Sequence, residues 1–194
     1  MNLAEQFICS SSAWRYLTQR QLLPWLLSGV PLGDHLLEIG AGYGAATTYL
    51  NTQLPRVTSL EYDHNSACKL KSQSDKGCSA TVQGDGARLP FASETFSCVL
   101  AILVLHHLKS PQLQDRTFAE AFRVVRPGGV FIVFEICDSW FHRIGHIRSI
   151  FTPVAPGSVS PRLVAAGFSS VNLDLRRGGF RMTAIRPGPT DSAI

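Results

Sequence analysis

Short apolar runs typical of strands alternate with helical segments along most of the chain, and this alternation limits the fold more than any other feature. Alternation over five strands implies right-handed crossovers and a parallel sheet with helices on both faces. Two further runs near the C-terminus, joined by Arg177-Gly178-Gly179, would add an antiparallel terminal strand. We therefore predict one α/β domain with a doubly wound, mostly parallel, seven-stranded sheet. The predicted strands are residues 35–39, 56–61, 79–83, 96–103, 130–135, 169–176 and 180–185.

The helical segments fill the gaps between these runs and are bounded by proline and glycine. They are predicted at residues 11–27, 45–53, 65–72 and 111–125, with a short helix that Ser160-Pro161 opens and Gly167 closes. Open parallel sheets bind ligands beyond the carboxyl ends of their strands. The functional site is therefore expected in the loops that follow Ile39, Glu61, Gln83, Leu103 and Glu135.

Composition fits a globular enzyme, because 45% of the 194 residues are hydrophobic and 16% are charged. No apolar run reaches the roughly 18 residues of a membrane span, and no basic-then-apolar signal peptide opens the chain. The cysteines are scattered without a Cys-x-x-Cys pair, which favours reduced thiols and a cytoplasmic protein. They are Cys9, Cys68, Cys78, Cys98 and Cys137.

Positive charge is concentrated near the C-terminus, where seven arginines follow His142 against only Asp174 and Asp191. This distribution is compatible with an acidic substrate, a nucleic acid or an anionic lipid. The arginines are spread without interleaved aromatic residues, so we interpret them as a solvated basic face and expect no nucleic-acid partner.

A glycine-rich loop, Glu38-Ile-Gly40-Ala-Gly42-Tyr-Gly44, joins the first predicted strand to the first helix of the sheet. Its glycines permit a tight turn and a close backbone approach to a ligand at a helix N-terminus. Gly40, Gly42 and Ala45 also satisfy the dinucleotide fingerprint. The carboxylate of Glu38 would be unfavourable beside a pyrophosphate but favourable beside a cationic sulfonium that carries an amino group.

Acidic residues end the next two strands. Glu61 can accept hydrogen bonds from both hydroxyls of a ribose. Asp63, two residues further along, is the alternative. Asp85, in Gly84-Asp85-Gly86-Ala87, can accept from the exocyclic amine of an adenine, or else cap a short helix.

The order of these motifs resembles the class I S-adenosylmethionine (SAM)-dependent methyltransferases, within them the type 11 family that includes ubiquinone and menaquinone biosynthesis enzymes. The resemblance covers about residues 36–185 and departs at Ser97, where the family usually has Asp. The matching stretches are Leu37-Glu-Ile-Gly-Ala-Gly-Tyr-Gly44, Gly84-Asp-Gly-Ala-Arg-Leu-Pro-Phe91, Phe96-Ser-Cys-Val-Leu100, Leu105-His-His-Leu108, Glu120-Ala-Phe-Arg-Val-Val-Arg-Pro-Gly-Gly129 and Ala165-Ala-Gly-Phe168.

The resemblance implies a Rossmann-like fold that binds SAM, releases S-adenosylhomocysteine and needs no metal. The residues predicted to hold the methyl donor are Glu38, Gly40, Ala41, Gly42, Gly44, Glu61, Tyr62, Asp85, Gly86, Ala87, Ile102 and Leu103.

Candidate catalytic residues follow the fourth and fifth strands. In some small-molecule members of the resembling family, a histidine and an acid at these places flank the acceptor, which implies His106, or alternatively His107, together with Glu135. A histidine is suited to accept a proton near neutral pH. The alternative is that the histidines only cap and pack the following helix. Ile102 stands where amine methyltransferases often carry Asn or Asp, which disfavours methylation of planar nitrogen.

The domain limits follow from what the resemblance leaves unmatched. We predict a helical lid at residues 1–33, the methyltransferase domain at 34–187 and a flexible tail at 188–194. Residues 139–158 are also unmatched. His142 and His146 are four apart but lack a third metal ligand nearby, so we interpret them as surface or pocket residues. Trp14, Tyr16, Trp25, Trp140 and Phe141 are candidates for the acceptor pocket or for ordinary packing.

The prediction is a methyltransferase that acts on a small acceptor, apolar or aromatic, at oxygen rather than at carbon or nitrogen. The expected partner is that small molecule, and the expected assembly is a monomer or homodimer. Three alternatives remain: a nicotinamide-dependent oxidoreductase, a catalytically silent SAM-binding scaffold and an RNA methyltransferase.

Overall fold

Seven strands form one mixed sheet in the computed structural model, which describes residues 3–73, 79–145, 149–176 and 178–188. The strands are β1 (His35–Ile39), β2 (Arg56–Glu61), β3 (Ser79–Gln83), β4 (Phe96–Ile102), β5 (Val125–Ile136), β6 (Ser169–Arg176) and β7 (Gly179–Ile185). Their order in the sheet is β3-β2-β1-β4-β5-β7-β6. The first five strands pair in parallel, and β7 pairs antiparallel with both β5 and β6. The predicted fold class is confirmed.

Helices precede the sheet and cover it. They are α1 (Leu3–Ser10), α2 (Ser12–Leu17), α3 (Leu23–Leu26), α4 (Thr47–Gln53), α5 (His64–Gln73), α6 (Pro111–Val124), α7 (Trp140–Gly145) and α8 (Pro156–Ala165). A π-helical turn, Thr18–Leu22, connects α2 to α3, and a short 3₁₀ turn, Leu105–His107, follows β4. Within the described residues, no helix has the length and apolar composition needed to cross a membrane.

The side chains of β1 show how the sheet separates two apolar layers. Successive residues of a strand point to opposite faces. Leu37 and Ile39 lie in the larger buried cluster, with Phe118 of α6. Leu36 lies in the second cluster, with Leu50 of α4. Because the carboxyl ends of the five parallel strands share one edge, the loops predicted to carry the site meet there.

The structure differs from the predicted elements at several ends. The last helix begins at Pro156 rather than at Ser160, so Pro161 lies inside it, and the predicted start is wrong. Pro156 occupies the first turn of α8, where a backbone N–H has no partner within the helix, so the missing N–H of proline costs no hydrogen bond. The fourth strand ends at Ile102, and Leu103 takes a left-handed conformation with φ of 56°. The helix α7 was not predicted, and α1 lies in the segment predicted as a helical lid but before residues 11–27, where its helix was placed.

Arginines of the C-terminal half act as structural clamps. Arg186 donates to three carbonyl oxygens at the end of α6, those of Phe122, Arg123 and Val125, at 2.9, 3.2 and 2.9 Å. Arg162 forms an ion pair with Asp115 at 2.6 Å. The predicted solvated basic face is therefore, for these side chains, a set of caps and ion pairs. Arg148, Arg177 and the tail beyond Gly188 lie outside the described residues.

Trp25 attaches the N-terminal segment to the antiparallel end of the sheet. Its indole N–H donates to Asp174 at 3.0 Å, and its ring packs edge-on against Phe134. The guanidinium groups of Arg176 and Arg181 lie 4.2 and 5.5 Å from the ring centroid. Trp25 therefore holds the segment in place, and its contacts are with the sheet.

Ser97, the position that departs from the family pattern, ties the start of β1 to β4. Its hydroxyl accepts from the His35 N–H at 2.9 Å and lies 2.8 and 3.0 Å from the Leu32 and His35 carbonyl oxygens, to which it can donate. An aspartate could accept this N–H but, when ionised, could not donate to a carbonyl.

Ser97→Ala is expected to lower the free energy of unfolding by about 1–2 kcal/mol, because the His35 N–H loses its side-chain acceptor. Urea denaturation measures this loss. The matched control is Ser169→Ala, whose exposed hydroxyl makes one long bond of 3.3 Å to the Ile185 carbonyl, and its effect should stay within about 0.5 kcal/mol. Equal effects for the two variants would contradict the assigned role of Ser97.

Candidate functional site

The glycine-rich loop folds back over the end of β2. The N–H groups of Gly40 and Ala41 donate to the Leu60 carbonyl at 2.8 and 3.1 Å. Gly40 has φ of 73°, and a Cβ there would lie 2.4 Å from a methyl group of Val104. Gly42 has φ of 54°, and nothing lies within 4 Å of the place where its Cβ would be. The loop is thus closed on one side by the chain after β4 and leaves an open cradle at Gly42.

Glu38 is buried beneath this loop. One of its carboxylate oxygens accepts from the Thr47 hydroxyl at 2.5 Å and from the Ser59 hydroxyl at 3.0 Å. Thr47 and Ser59 were not singled out from the sequence. Ser59 pairs in register with Glu38 inside a buried strand, and a polar residue in such a strand is the signal that could have found it.

Burial raises the pKa of Glu38 from 4.5 to about 7, the two hydroxyls oppose this rise, and the nearby charge of Glu61 adds to it. The folded protein therefore keeps a proton that the unfolded chain loses above about pH 4.5. The free energy of unfolding from this group is fully present below pH 4.5 and falls as pH rises toward 7, by at most about 3 kcal/mol.

Glu38→Gln is expected to remove this fall, so that the stabilities of the variant and the wild type diverge between about pH 4.5 and 7. Urea denaturation at a series of pH values measures the difference. Thr47→Val should instead extend the fall to higher pH, because the ionised carboxylate loses one hydrogen bond. Parallel profiles for Glu38→Gln and wild type would show that this carboxyl does not titrate as stated.

Glu61 ends β2 and faces the glycine-rich loop. One carboxylate oxygen accepts from the Gly42 N–H at 2.7 Å, and the other accepts from the Asp63 N–H at 2.9 Å. Each carboxylate oxygen has two acceptor directions, so both oxygens keep capacity for a further donor. Asp63, the alternative candidate, is instead occupied with Ser66 at the start of α5, at 2.9 Å from both its N–H and its hydroxyl.

An open cleft of about 510 Å³ lies beyond the ends of β2 and β3. Asp85 is exposed on its wall, and its carboxylate accepts from the Ala87 N–H at 2.9 Å. Asp85 therefore stabilises a turn and does not cap a helix. Tyr62 is 75% exposed and presents its ring to solvent beside the cleft. The cleft is lined by Tyr62, Asp63, His64, Gln83, Gly84 and Asp85.

The remaining predicted donor residues lie around the same loops. Ile102 and Leu103 are half-buried at the end of β4, and the Leu103 N–H donates to the Phe134 carbonyl at 2.8 Å. Gly86 lies against Ile39, since a Cβ there would be 3.0 Å from an Ile39 methyl group. Gly44 packs against Leu70 of α5.

His106 and Glu135 form a buried pair between the ends of β4 and β5. The His106 Nδ1 lies 2.6 Å from one carboxylate oxygen, and the other oxygen accepts from the Leu105 N–H at 2.6 Å. The residues are 3% and 0% exposed. Because an ionised carboxylate only accepts, the tautomer with the proton on Nδ1 is the one that can donate to Glu135. His107 stacks on His106 with ring centroids 4.1 Å apart.

Residues after β5 close around this pair and were not singled out from the sequence. The Phe151 ring lies 5.7 Å from the His106 ring, and the Thr152 N–H donates to the His106 carbonyl at 2.8 Å. Gln114 of α6 donates to the Leu105 and Thr152 carbonyls, both at 3.0 Å. The amide side chain of Gln114, buried at the first turns of an amphipathic helix, was the available signal.

Other candidates lie elsewhere. Tyr16 and Trp140 are 64% and 62% exposed. The side chains of Phe141 and His142 and the whole of His146 lie outside the described residues. In the part of the chain that the structure describes, no three His, Cys, Asp or Glu side chains come together as metal ligands.

Comparison with known proteins gives the family. The methyltransferase domain model matches residues 37–133, half of the chain. Sterol 24-C-methyltransferase erg6 of Schizosaccharomyces pombe is 31% identical over 145 residues, which are 70% of this chain and 37% of that protein. The tRNA (carboxymethyluridine(34)-5-O)-methyltransferase of Arabidopsis thaliana is 32% identical over 107 residues, 55% of this chain and 25% of that protein. The chain thus spans between a quarter and little more than a third of the length of these relatives.

Solved structures show the same fold. The methyltransferase in a complex with the Haloferax volcanii Trm112 methyltransferase activator matches with a TM-score of 0.75 at 16% identity, over 94% of this chain and 98% of that chain. Further structures with this fold include SAM-dependent methyltransferases and one with SAM bound. The matches do not single out the ubiquinone and menaquinone branch. Because half of the chain matches the domain and 70% of it matches one curated relative, the chain belongs to the class I SAM-dependent methyltransferases.

Proposed function

We propose that this protein transfers the methyl group of SAM to a hydroxyl of a small apolar or aromatic acceptor, with His106 as the base. The observation that carries the proposal is the buried pair of His106 and Glu135, joined at 2.6 Å at the acceptor side of the sheet edge. A hydroxyl acceptor must lose a proton, and a positioned imidazole is suited to take it. Three of the relatives are described as sterol methyltransferases, which supports an apolar acceptor, although two of them are described as acting at carbon.

The residues around the cleft fit the methyl donor. The open cradle at Gly42 lets a ligand approach the backbone, and the Glu61 carboxylate beside it has unused acceptor capacity. Asp85 lies on the cleft wall for an adenine amine, and Tyr62 offers a ring for stacking. Glu38 lies beneath the loop, and a cationic amino group beside it would favour the ionised form of its carboxyl. When bound, SAM supplies an electrophilic methyl group at a positively charged sulfur.

The chain contributes positioning and proton transfer. Glu135 holds the His106 ring in one tautomer and stabilises the charge that the ring gains on accepting the hydroxyl proton at Nε2. Gln114 fixes the backbone at Leu105, and Phe151 covers the ring. Residues 1–33 are assigned to a lid over the acceptor, residues 34–187 to the methyltransferase domain and 188–194 to a tail. The thiols of Cys9, Cys68 and Cys98 are free, which suits the expected cytoplasmic location.

The test has two stages. In a thermal-shift experiment, the melting temperature should rise on addition of SAM or S-adenosylhomocysteine but not on addition of NAD. A labelled-methyl assay with a panel of apolar hydroxyl compounds should then give a methyl ether. Binding without transfer to any acceptor would favour the silent scaffold, and a response to NAD alone would favour the oxidoreductase.

RNA methylation is the second candidate, because two relatives are described as tRNA methyltransferases, one of them only as a probable one. The clamping roles of Arg162, Arg181 and Arg186 leave fewer cations for phosphate, so we place this candidate second. Tight tRNA binding that weakens steeply between about 50 and 200 mM salt would reverse the order.

A further inference from the structure

Exposed apolar side chains are concentrated at residues 3–33 and, in a second segment, at residues 139–145 and 149–150; together these described residues are called the cap. Seven of the twelve large hydrophobic side chains that are exposed in the described residues lie in the cap. The Ser149 hydroxyl donates to the Glu5 carboxylate and so joins the two segments. Concentration of this kind marks a contact surface, whereas single exposed apolar residues do not. The seven are Phe7, Ile8, Tyr16, Leu17, Trp140, Ile144 and Ile150.

The first two helices of the cap show burial opposite to that of an ordinary surface helix. In α1 the charged residue Glu5 is 9% exposed, whereas Phe7 and Ile8 are 77% and 56% exposed. In α2 no residue is buried. Helices of eight and six residues depend on packing of an apolar face for their stability. We therefore expect the outward apolar face of these helices to be covered by an apolar surface outside the chain.

The charge of the cap indicates what that surface is. Residues 3–33 carry Glu5, Arg15 and Arg20, and the carboxylate is buried while both arginines are exposed. Asp138, which directly precedes the second segment, forms an ion pair with Arg143 of that segment at 2.6 Å. The outward charge is therefore positive and complements anionic headgroups. Tyr16 and Trp140 have rings of the amphipathic kind that membrane interfaces favour.

We propose that the cap docks on an anionic lipid bilayer, with Phe7 and Ile8 in the boundary between headgroups and acyl chains and with Arg15 and Arg20 at the phosphates. Partial insertion of an apolar helix face combined with basic side chains is sufficient for reversible binding. The inference goes beyond methyl transfer and holds whichever acceptor is methylated.

Vesicle flotation tests the proposal with the full chain. The wild type should float with vesicles that contain about one third phosphatidylglycerol and bind pure phosphatidylcholine at least about tenfold more weakly. The double variant Phe7→Ser/Ile8→Ser should lower partition into the anionic vesicles by about tenfold or more, because two apolar side chains no longer leave water. Arg15→Gln/Arg20→Gln should lower it too and reduce its dependence on salt.

The matched control is Leu175→Ser, which removes an apolar side chain that is 61% exposed on β6, outside the cap. Its partition should equal that of the wild type. Unchanged flotation of Phe7→Ser/Ile8→Ser, or no flotation of the wild type, would overturn the proposal. It would also be overturned if the wild type forms a dimer, binds no vesicles, and becomes monomeric in this double variant. A thermal shift with SAM shows that each variant is folded, and a missing shift in the wild type would contradict the methyltransferase function while leaving the flotation result intact.

Discussion

His106→Ala is expected to lower the turnover number by about two to four orders of magnitude while SAM affinity stays within about threefold. The ring lies between the ends of β4 and β5, where we propose that the acceptor binds, and its carboxylate partner is buried. The glycine-rich loop proposed to hold SAM makes its own contacts with the end of β2. Single-turnover kinetics with labelled SAM separates the chemical step from binding.

Glu135→Gln tests the same pair without creating a cavity. A glutamine side chain has one acceptor oxygen where the carboxylate has two, so it can serve the Leu105 N–H or the His106 Nδ1–H but not both. If the glutamine oxygen accepts from the Leu105 N–H, the glutamine NH₂ group faces Nδ1. The ring proton then moves to Nε2, and this nitrogen can no longer accept the proton of the hydroxyl. Turnover should therefore fall by about two orders of magnitude or more, with the fold retained.

His107→Ala is the control, since His107 stacks on His106 and was the alternative base. Its loss of turnover should stay below about tenfold. A larger loss in His107→Ala than in His106→Ala would transfer the role to His107, and full turnover in both variants would remove both histidines from proton transfer.

The sheet could be predicted because strand and turn signals are local. The strand His35–Ile39 and the loop that starts at Gly40 were placed correctly from apolar runs and glycines alone. Local signals failed for α8, where proline occurs both at residue 156 and at residue 161, and either could begin a helix. The left-handed Leu103 could not be foreseen, because its conformation depends on the bond to Phe134 across the sheet.

The candidate site divides in the same way. Glu61 and Asp85 follow strands in a recognisable pattern, so their positions were predictable. His106 and Glu135 are 29 positions apart in the sequence. Hydrophobic periodicity does not predict a contact across such a separation. The cap was the least predictable, because short helices with exposed apolar residues carry no clear amphipathic pattern and their environment lies outside the chain.

The second large effect is expected at Glu61, where replacement by alanine should weaken SAM binding by about 100- to 1000-fold, because two charge-assisted hydrogen bonds to the ribose are lost. Alanine also removes the acceptors of the Gly42 and Asp63 N–H groups, which could loosen the loop by itself. A chemical double-mutant cycle separates these two causes.

The cycle pairs the Glu61→Ala change with S-adenosylhomocysteine that lacks the 2′- and 3′-hydroxyls, and calorimetry measures all four affinities. In the wild type the deoxygenated ligand should bind about 100-fold more weakly, whereas in Glu61→Ala the two ligands should bind within about threefold of each other. Asp63→Ala is the matched control, since this residue stabilises the start of α5 and should lose stability without losing the discrimination. If Glu61→Ala still discriminates fully, the ribose is held elsewhere, and the carboxylate only shapes the loop.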